Sequence, residues 1–524
     1  MKRTLDTHLD SFCLVTLLIL AYVLFFHQLG GIGFVGPDEP RYAAVARAMF
    51  ETGDYVTPRL LGEPWFEKPV LMYWLASIGY AVFGVGETGA RIPSALAATV
   101  AVLAMFWCGR RLYSRAVGFA AAMILATSAG FLGLARAASM DMLLGAALTC
   151  ALALFLVGQN SQGPERRTYF YVFYAALGMG VLAKGPVAVV LPALALGVFL
   201  IWRAGSGEWR TWHPEGAAIT ALIAAPWYLA VIQANGWTFI QEFLISHNVR
   251  RFTSDVYGHD QPFYFFVPVF LLMMFPWTFL LIPAVRRRLD KNEHLMVAWA
   301  VIPFLFFSLS GSKLPAYILP MTAPVALLLA GEITKGESSR RFRVAAVSEA
   351  ALWLSVGLVA VFLRDLIRVE VPIGGGLGLL GLTAAIAAGL VVLAAFPPPA
   401  LGIFNVATVV GLVLVVTGLV FPGVQAVESM RPWVGALEDL GSGGDEVALY
   451  QPPRWMEYGF EFYLDRPAHV IASEAQLIEI TESGSRLFCI SETSTLDRLS
   501  ESDRIAIEVV EARGSQSAFW VWQP

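Results

Sequence analysis

The sequence predicts a polytopic α-helical membrane protein with an α/β domain at its C-terminus, and three observations predict it. Hydrophobic residues fill 57% of the 524 positions and charged ones only 15%, with a mean hydropathy of +0.64. A soluble globular chain carries nearer a quarter charged residues. Apolar runs of membrane length recur up to about residue 421, and past about 425 short β-like runs replace them. Basic residues in the short loops between runs fall mainly on one side.

A span needs about 20 mostly apolar residues. On that template spans are expected at 11–29, 88–109, 116–134, 140–158, 169–183, 186–202, 215–233, 262–284, 294–310, 315–333, 343–363, 375–396 and 399–421, about thirteen in all. The N-terminus imitates a signal peptide but has no small-residue cleavage site, so it reads as the first span. Lys2, Arg3, Arg110, Arg111, Arg115, Arg166, Arg167, Arg203, Arg210, Arg286, Arg287, Arg288, Lys291, Lys335, Arg340, Arg341 and Arg343 share one side, which is therefore cytoplasmic. An odd number of spans leaves the C-terminal tail outside. Cys13, Cys108, Cys150 and Cys489 form neither a metal spacing nor a disulfide framework. The net charge of −4 gives no sign of nucleic-acid binding.

Two domains are expected, 1–424 in the membrane and 425–524 outside it. The first outer loop, 30–87, is too long for a simple turn. Asp38 reads as an N-cap with Pro40 in the first turn. Tyr42, Val45, Ala46, Met49 and Phe50 follow at helical spacing and Gly53 closes the helix. The apolar run 69–83 is too short to span, so a second interfacial helix is expected. In the outer domain the 441–444 glycine-serine stretch is a linker, and β-like runs lie at 447–450, 462–464, 469–472, 487–491, 505–510 and 519–522. Polar helical stretches at 474–481 and 493–501 separate some of them. The sequence contains no phosphate loop, dinucleotide fingerprint or internal repeat.

Outer loops should be poor in basic residues, yet Arg41, Arg47, Arg59, Lys68, Arg91, Arg136, Lys184, Arg250, Arg251, Lys313, Arg364 and Arg368 fall there. Asp38, Glu39, Glu67 and Asp141 share the surface. Each has a plain structural reading: Asp38 as a cap, Arg41 as the partner of Glu39, Lys184-Gly185-Pro186 as a turn, Asp141 as a cap beside Arg136. Their convergence from five loops suits a lipid phosphate countered by Arg and Lys, with the same cations stabilising it as a leaving group.

These segments resemble a known family. Asp38-Glu39-Pro40-Arg41-Tyr42-Ala43, Gly53-Asp54-Tyr55, Phe66-Glu67-Lys68-Pro69 and Tyr73-Trp74 are similar to the first outer loop of the bacterial aminoarabinose transferases. So are Leu182-Ala183-Lys184-Gly185-Pro186, His247-Asn248-Val249-Arg250-Arg251-Phe252 and Lys313-Leu314-Pro315-Ala316-Tyr317-Ile318-Leu319-Pro320. That family moves 4-amino-4-deoxy-L-arabinose from undecaprenyl phosphate to lipid A. With the protein O-mannosyltransferases, it belongs to the C-type (GT-C) glycosyltransferases. The resemblance implies a GT-C fold with an outward-facing site in the bacterial inner membrane and the C-terminal domain in the periplasm. It implies catalytic roles for Asp38, Asp141 and Glu67. Glu39, Arg41, Tyr42, Lys68, Lys184, Arg250, Arg251, Lys313 and Tyr317 would bind substrate.

The expected reaction is inverting: a polyprenyl phosphate leaves while an acceptor oxygen on lipid A, another glycolipid or a protein attacks. Asp38 orients the acceptor and takes its proton unless the acceptor is already ionised. No cofactor is required. A divalent metal is optional, with Glu67 and His247 as two widely separated candidate ligands. The rival readings are a protein O-mannosyltransferase-like enzyme and a transporter or flippase for the same lipid. A transporter would be expected to place ionisable groups at mid-membrane in broken helices.

Overall fold

The computed structural model describes residues 2–202, 213–251, 261–284, 289–335, 338–362, 375–434, 437, 447–465, 467–482 and 486–524. Arg203, Arg210, Phe252, Arg286, Arg287, Arg288, Arg364, Arg368 and the 441–444 linker lie outside them.

Helix α1 (Lys2–Ala21) runs on as a π-helical turn, Tyr22–Phe26. The first outer loop then forms α2 (Asp38–Thr52), a small hairpin of β1 (Arg59–Leu60) and β2 (Glu63–Pro64), and α3 (Leu71–Phe83). Both expected helices of the loop are present. Gly53, at φ 71°, ends α2 in the left-handed region, its N–H donating to Met49 O. Pro37 occupies the N-cap position and no side chain caps the helix, so the expected N-cap role of Asp38 is corrected: it is the first helical residue. Tyr42, Val45, Ala46 and Met49 are buried; Ser77 Oγ donates to Ala46 O at 3.2 Å and Tyr80 Oη to Ala43 O at 3.0 Å, tying α3 to α2.

The membrane part continues with α4 (Glu87–Leu112), α5 (Arg115–Thr127), α6 (Ala129–Ala135), α7 (Met140–Gln159), α8 (Gly163–Lys184) and α9 (Val187–Trp202). Next come α10 (Ala217–Phe239), extended by the π-helical Ile240–Arg250, then α11 (Phe266–Met273), α12 (Leu281–Ala284) and α13 (Lys291–Ser308). The 3-10 segment Pro315–Met321 leads into α14 (Thr322–Ile333), followed by α15 (Arg340–Phe362), α16 (Gly375–Leu393), α17 (Pro398–Val415) and α18 (Phe421–Glu428). Among the described residues seven helices are long and apolar enough to cross a membrane, or nine if each of two bent pairs is one span. The protein is a multi-pass membrane protein.

The bent pairs correct two spans expected to be single helices. The 116–134 run breaks at Ser128 with a 67° bend, and the 262–284 run bends by 102° between Met273 and Trp277. Backbone groups freed by a break must be satisfied inside the protein. Here the two breaks satisfy each other: Ala129 N–H donates to Phe275 O at 2.9 Å, and Trp277 Nε1 to Thr127 Oγ1 at 2.9 Å. Gly130 permits the approach, since a Cβ there would lie 2.3 Å from Met273 Cγ.

The C-terminal part is an α/β unit with β3 (Val447–Tyr450), α19 (Arg454–Leu464), β4 (His469–Ile471), α20 (Glu474–Thr481), β5 (Leu487–Glu492), α21 (Thr493–Leu499), β6 (Ala506–Arg513) and β7 (Gln516–Trp522). Its sheet order is β4-β3-β5-β7-β6, parallel across β4-β3-β5 and antiparallel beyond, with a bulge between Val509 and Glu511. The strand expected at 462–464 is instead the last turn of α19. Met456 and Phe460 repeat at helical spacing against the sheet core, while Phe462 packs into the first-loop core. The unit sits on the first outer loop. Tyr463 Oη accepts from Phe34 N–H at 2.9 Å and donates to Glu87 at 2.7 Å; Gln425 Oε1 accepts from Gly33 N–H at 2.9 Å, and Arg47 reaches Phe462 O at 3.0 Å.

Candidate active site

Glu67 is the centre of a buried charge network. Its carboxylate meets Arg41 Nη1 at 3.1 Å, Lys68 Nζ at 3.1 Å and Arg251 Nη1 at 3.0 Å. Burial pushes its pKa up, but Lys68, Arg41 and Arg251 outweigh burial and hold it well below the usual carboxylate range. Burial also pushes Lys68 down, to about 8, against the pull of Glu67. Arg41 carries the network outward: Nη2 donates to Asp38 Oδ1 at 2.5 Å. The guanidinium lies 5.2–5.7 Å from the rings of Tyr42, Trp65 and Tyr458. Asp38 stays about half exposed, at 55%.

A cavity of about 410 Å³ opens beside Glu67. Lys68, Lys184, Arg251, His247 and Tyr317 are among its polar lining; Val187, Val190, Phe243, Leu244, Phe306 and Phe307 supply an apolar wall. Lys184 stands at the C-terminus of α8, its ammonium paired with Asp141 and 4.5 Å over the Tyr317 ring. Gly185, at φ 84°, makes the turn, and a Cβ there would lie 2.8 Å from Phe243. Three donors near Asp38, Arg41 Nε, Trp65 Nε1 and Tyr73 Oη, are buried with no hydrogen-bond partner among the described residues.

Several expectations change at this level. Arg41 pairs with Asp38 and Glu67 rather than Glu39. Arg136 donates to Leu24 O and His27 O at 2.8 Å each, leaving Asp141 to Lys184. Arg251 enters the cavity wall, whereas Arg250 is exposed and does not line it. Lys313 is buried but also outside that wall, and it makes no ion pair among the described residues. Glu39 is buried against Arg91 and does not line the cavity either. Glu67 and His247, the candidate metal pair, share the cavity but supply two of the four donors that a closed zinc site uses. Among the described residues no group of three or more His, Cys, Asp or Glu could hold a metal ion. Sequence reasoning missed Tyr458, because a contact from the C-terminal part onto Arg41 leaves no local signal.

Residues 67–229 match the model of the dolichyl-phosphate-mannose-protein mannosyltransferase family. The undecaprenyl phosphate-alpha-4-amino-4-deoxy-L-arabinose arabinosyl transferase of Edwardsiella ictaluri is 32% identical over 366 residues, 67% of this chain. A transferase of the same name from Pseudomonas fluorescens is 34% identical over 357 residues, 66% of this chain. The chain spans 64% and 62% of those relatives' own length. The crystal structure of ArnT from Cupriavidus metallidurans bound to undecaprenyl phosphate superposes with a TM-score of 0.76 at 23% identity, covering 97% of each chain. The chain is similar in sequence to these aminoarabinose transferases over about two thirds of its length and has the GT-C fold of that ArnT structure. The resemblance read from the loop motifs therefore holds in both sequence and architecture.

Proposed function

We propose that the chain is an inverting glycosyltransferase that moves a sugar from a polyprenyl phosphate to an envelope acceptor such as lipid A, another glycolipid or a protein. The observation that carries this reading is the cavity whose lining brings Lys68, Lys184 and Arg251 together with an apolar wall. A phosphate on these cations would leave its polyprenyl chain on Val187, Val190, Phe306 and Phe307. The relatives' names make undecaprenyl phosphate and aminoarabinose the donor to test first. Lys68, Lys184 and Arg251 would counter the charge that grows on the leaving phosphate. Asp38, half exposed beside Arg41, would orient the acceptor or take its proton, with Asp141 holding Lys184 in place. The unpartnered donors of Arg41, Trp65 and Tyr73 would face an oxygen-rich acceptor. The reaction as drawn needs no cofactor, and no step runs through a metal.

We place residues 1–424, with about thirteen spans, in the bacterial inner membrane, and 425–524 with the site on the periplasmic face. A cysteine at Ala472 should react with an impermeant thiol reagent in intact spheroplasts; labelling only after lysis reverses the topology. The full chain in nanodiscs, given undecaprenyl phosphate–aminoarabinose, should release undecaprenyl phosphate and load lipid A, read by mass spectrometry. The mannosyltransferase family match favours a protein acceptor as the second reading, so a peptide pool belongs in the same assay. Translocation of the lipid without transfer to any acceptor would make the chain a flippase instead.

A further inference from the structure

Arg91, in the second turn of α4, is 2% exposed and uses all five of its N–H groups. Nε and Nη2 grip Glu39 Oε1 and Oε2 at 2.9 and 2.8 Å. Nη1 donates to Leu29 O and Ile32 O at 2.9 and 2.7 Å, and Nη2 also donates to Gly33 O at 2.9 Å. Glu39 fills its remaining capacity with two backbone N–H groups: Val35 at 3.1 Å, in the loop leading to Asp38, and Ala138 at 2.7 Å, in the loop leading to Asp141. One turn further along α4, Ser94 Oγ accepts from Ser139 N–H at 3.1 Å and donates to Ser139 O at 3.3 Å. A single helix end thus holds the segments before both acidic residues, 29–35 and 138–139.

We infer that Glu39 and Arg91, seconded by Ser94, are positioning residues that set Asp38 against Asp141. They touch neither the cavity nor the lipid-phosphate cations. Glu39 stands next to Asp38 in the chain, and Ala138 stands three residues before Asp141. Loss of the pair frees two loops at once, because Arg91 holds the carbonyls of Leu29, Ile32 and Gly33 while Glu39 holds the N–H groups of Val35 and Ala138. A buried ion pair of this kind specifies a geometry more than it stabilises a fold.

The inference rests on the transferase reading, and the test separates the two. Glu39→Gln, Arg91→Lys and Ser94→Ala are made in the full chain in nanodiscs. Turnover, donor KM, binding of undecaprenyl phosphate and melting temperature are measured for each. Displacement of reacting groups by about 1 Å costs on the order of 10²-fold in rate. Glu39→Gln and Arg91→Lys should therefore lose about that factor in kcat, with donor KM and lipid binding close to wild type. Ser94→Ala, which spares the ion pair and should fold, should show a smaller drop of the same kind. Wild-type kcat in folded Arg91→Lys and Ser94→Ala, or a parallel loss of lipid binding and turnover, would overturn the positioning role. Absence of transfer by the wild-type chain would instead count against the transferase reading itself.

Discussion

Asp38→Asn separates chemistry from structure because the two predict costs of different size. The substitution keeps the side chain's shape and removes its charge. Structurally it loses little. The Asp38–Arg41 pair is an i,i+3 contact with Asp38 half exposed, worth about 0.2–1 kcal/mol. Arg41 keeps Glu67 at 3.1 Å, so no buried cation is orphaned. Asp38 makes no side-chain cap, and a carboxylate in the first turn contributes about 0.3–1 kcal/mol through the helix dipole. The melting temperature should therefore fall by only a few degrees. As base or acceptor-orienter, by contrast, Asp38 should be worth roughly 10²–10⁴ in rate, which is about 3–5 kcal/mol of barrier. The assay is transfer of aminoarabinose from undecaprenyl phosphate to lipid A in nanodiscs, with donor binding by native mass spectrometry. The expected result is a 10²–10⁴-fold loss of kcat with donor binding intact. Wild-type turnover in well-folded Asp38→Asn would remove Asp38 from the chemistry and leave Asp141 as the candidate carboxylate.

Lys68→Ala, Lys184→Ala and Arg251→Ala should each weaken undecaprenyl phosphate binding by about 1.5–3 kcal/mol, roughly ten- to a hundredfold in Kd. Arg250→Ala should change it little, as a binding titration will show. Lys68, lowered to about 8 by burial, is charged below that pH and neutral above it, so lipid affinity should fall as pH rises through about 8. Lys68→Arg should flatten that profile. Glu67→Gln removes the charge that supports Lys68, so the same fall should begin at lower pH. In the C-terminal domain, burial and then Glu457 push Glu461 up to about 7, above its ordinary 4.5. Protonated Glu461 favours the folded state, so stability should be full below about 4.5 and decline as pH rises through about 7. Thermal melts should show the decline, and Glu461→Gln should abolish it.

The helices were legible wherever one face or one run carried the signal alone. The loop helices α2 and α3 lie where their apolar spacing and length put them. The breaks at Ser128 and Met274–Pro276 were not legible, because each is satisfied by the other through Ala129 and Phe275, far apart in the chain. The segment 462–464 misled because three apolar-aromatic residues look like a strand until α19 is seen facing two cores. At the site, sequence picked the residue types and not their partners. Asp38, Glu67, Lys68, Asp141, Lys184 and Tyr317 could be chosen as chemistry beside Gly/Pro turns. The exchange of partners between Arg41 and Arg91, and the choice of Arg251 over Arg250, depend on side-chain direction in three dimensions.

On the proposed reading, the charges of the Glu67 network and the Lys184–Asp141 pair explain why so many carboxylates would accompany a site for an anion. Four cations (Arg41, Lys68, Lys184 and Arg251) face three carboxylates, Asp38, Glu67 and Asp141, leaving an excess of one positive charge. A sugar-bearing phosphodiester carries one negative charge and fits that excess. Without Glu67, burial would leave Lys68 less able to stay charged before the lipid arrives. Glu67 is thus poorly suited to be a general base: its pKa lies far below the operating range that base catalysis needs. On the proposed reading its work would be to keep Lys68 ionised and the cations aimed, so that they need no rearrangement when charge grows on the departing phosphate. Asp38, more exposed and held by one arginine, would then be the carboxylate left free to meet the acceptor.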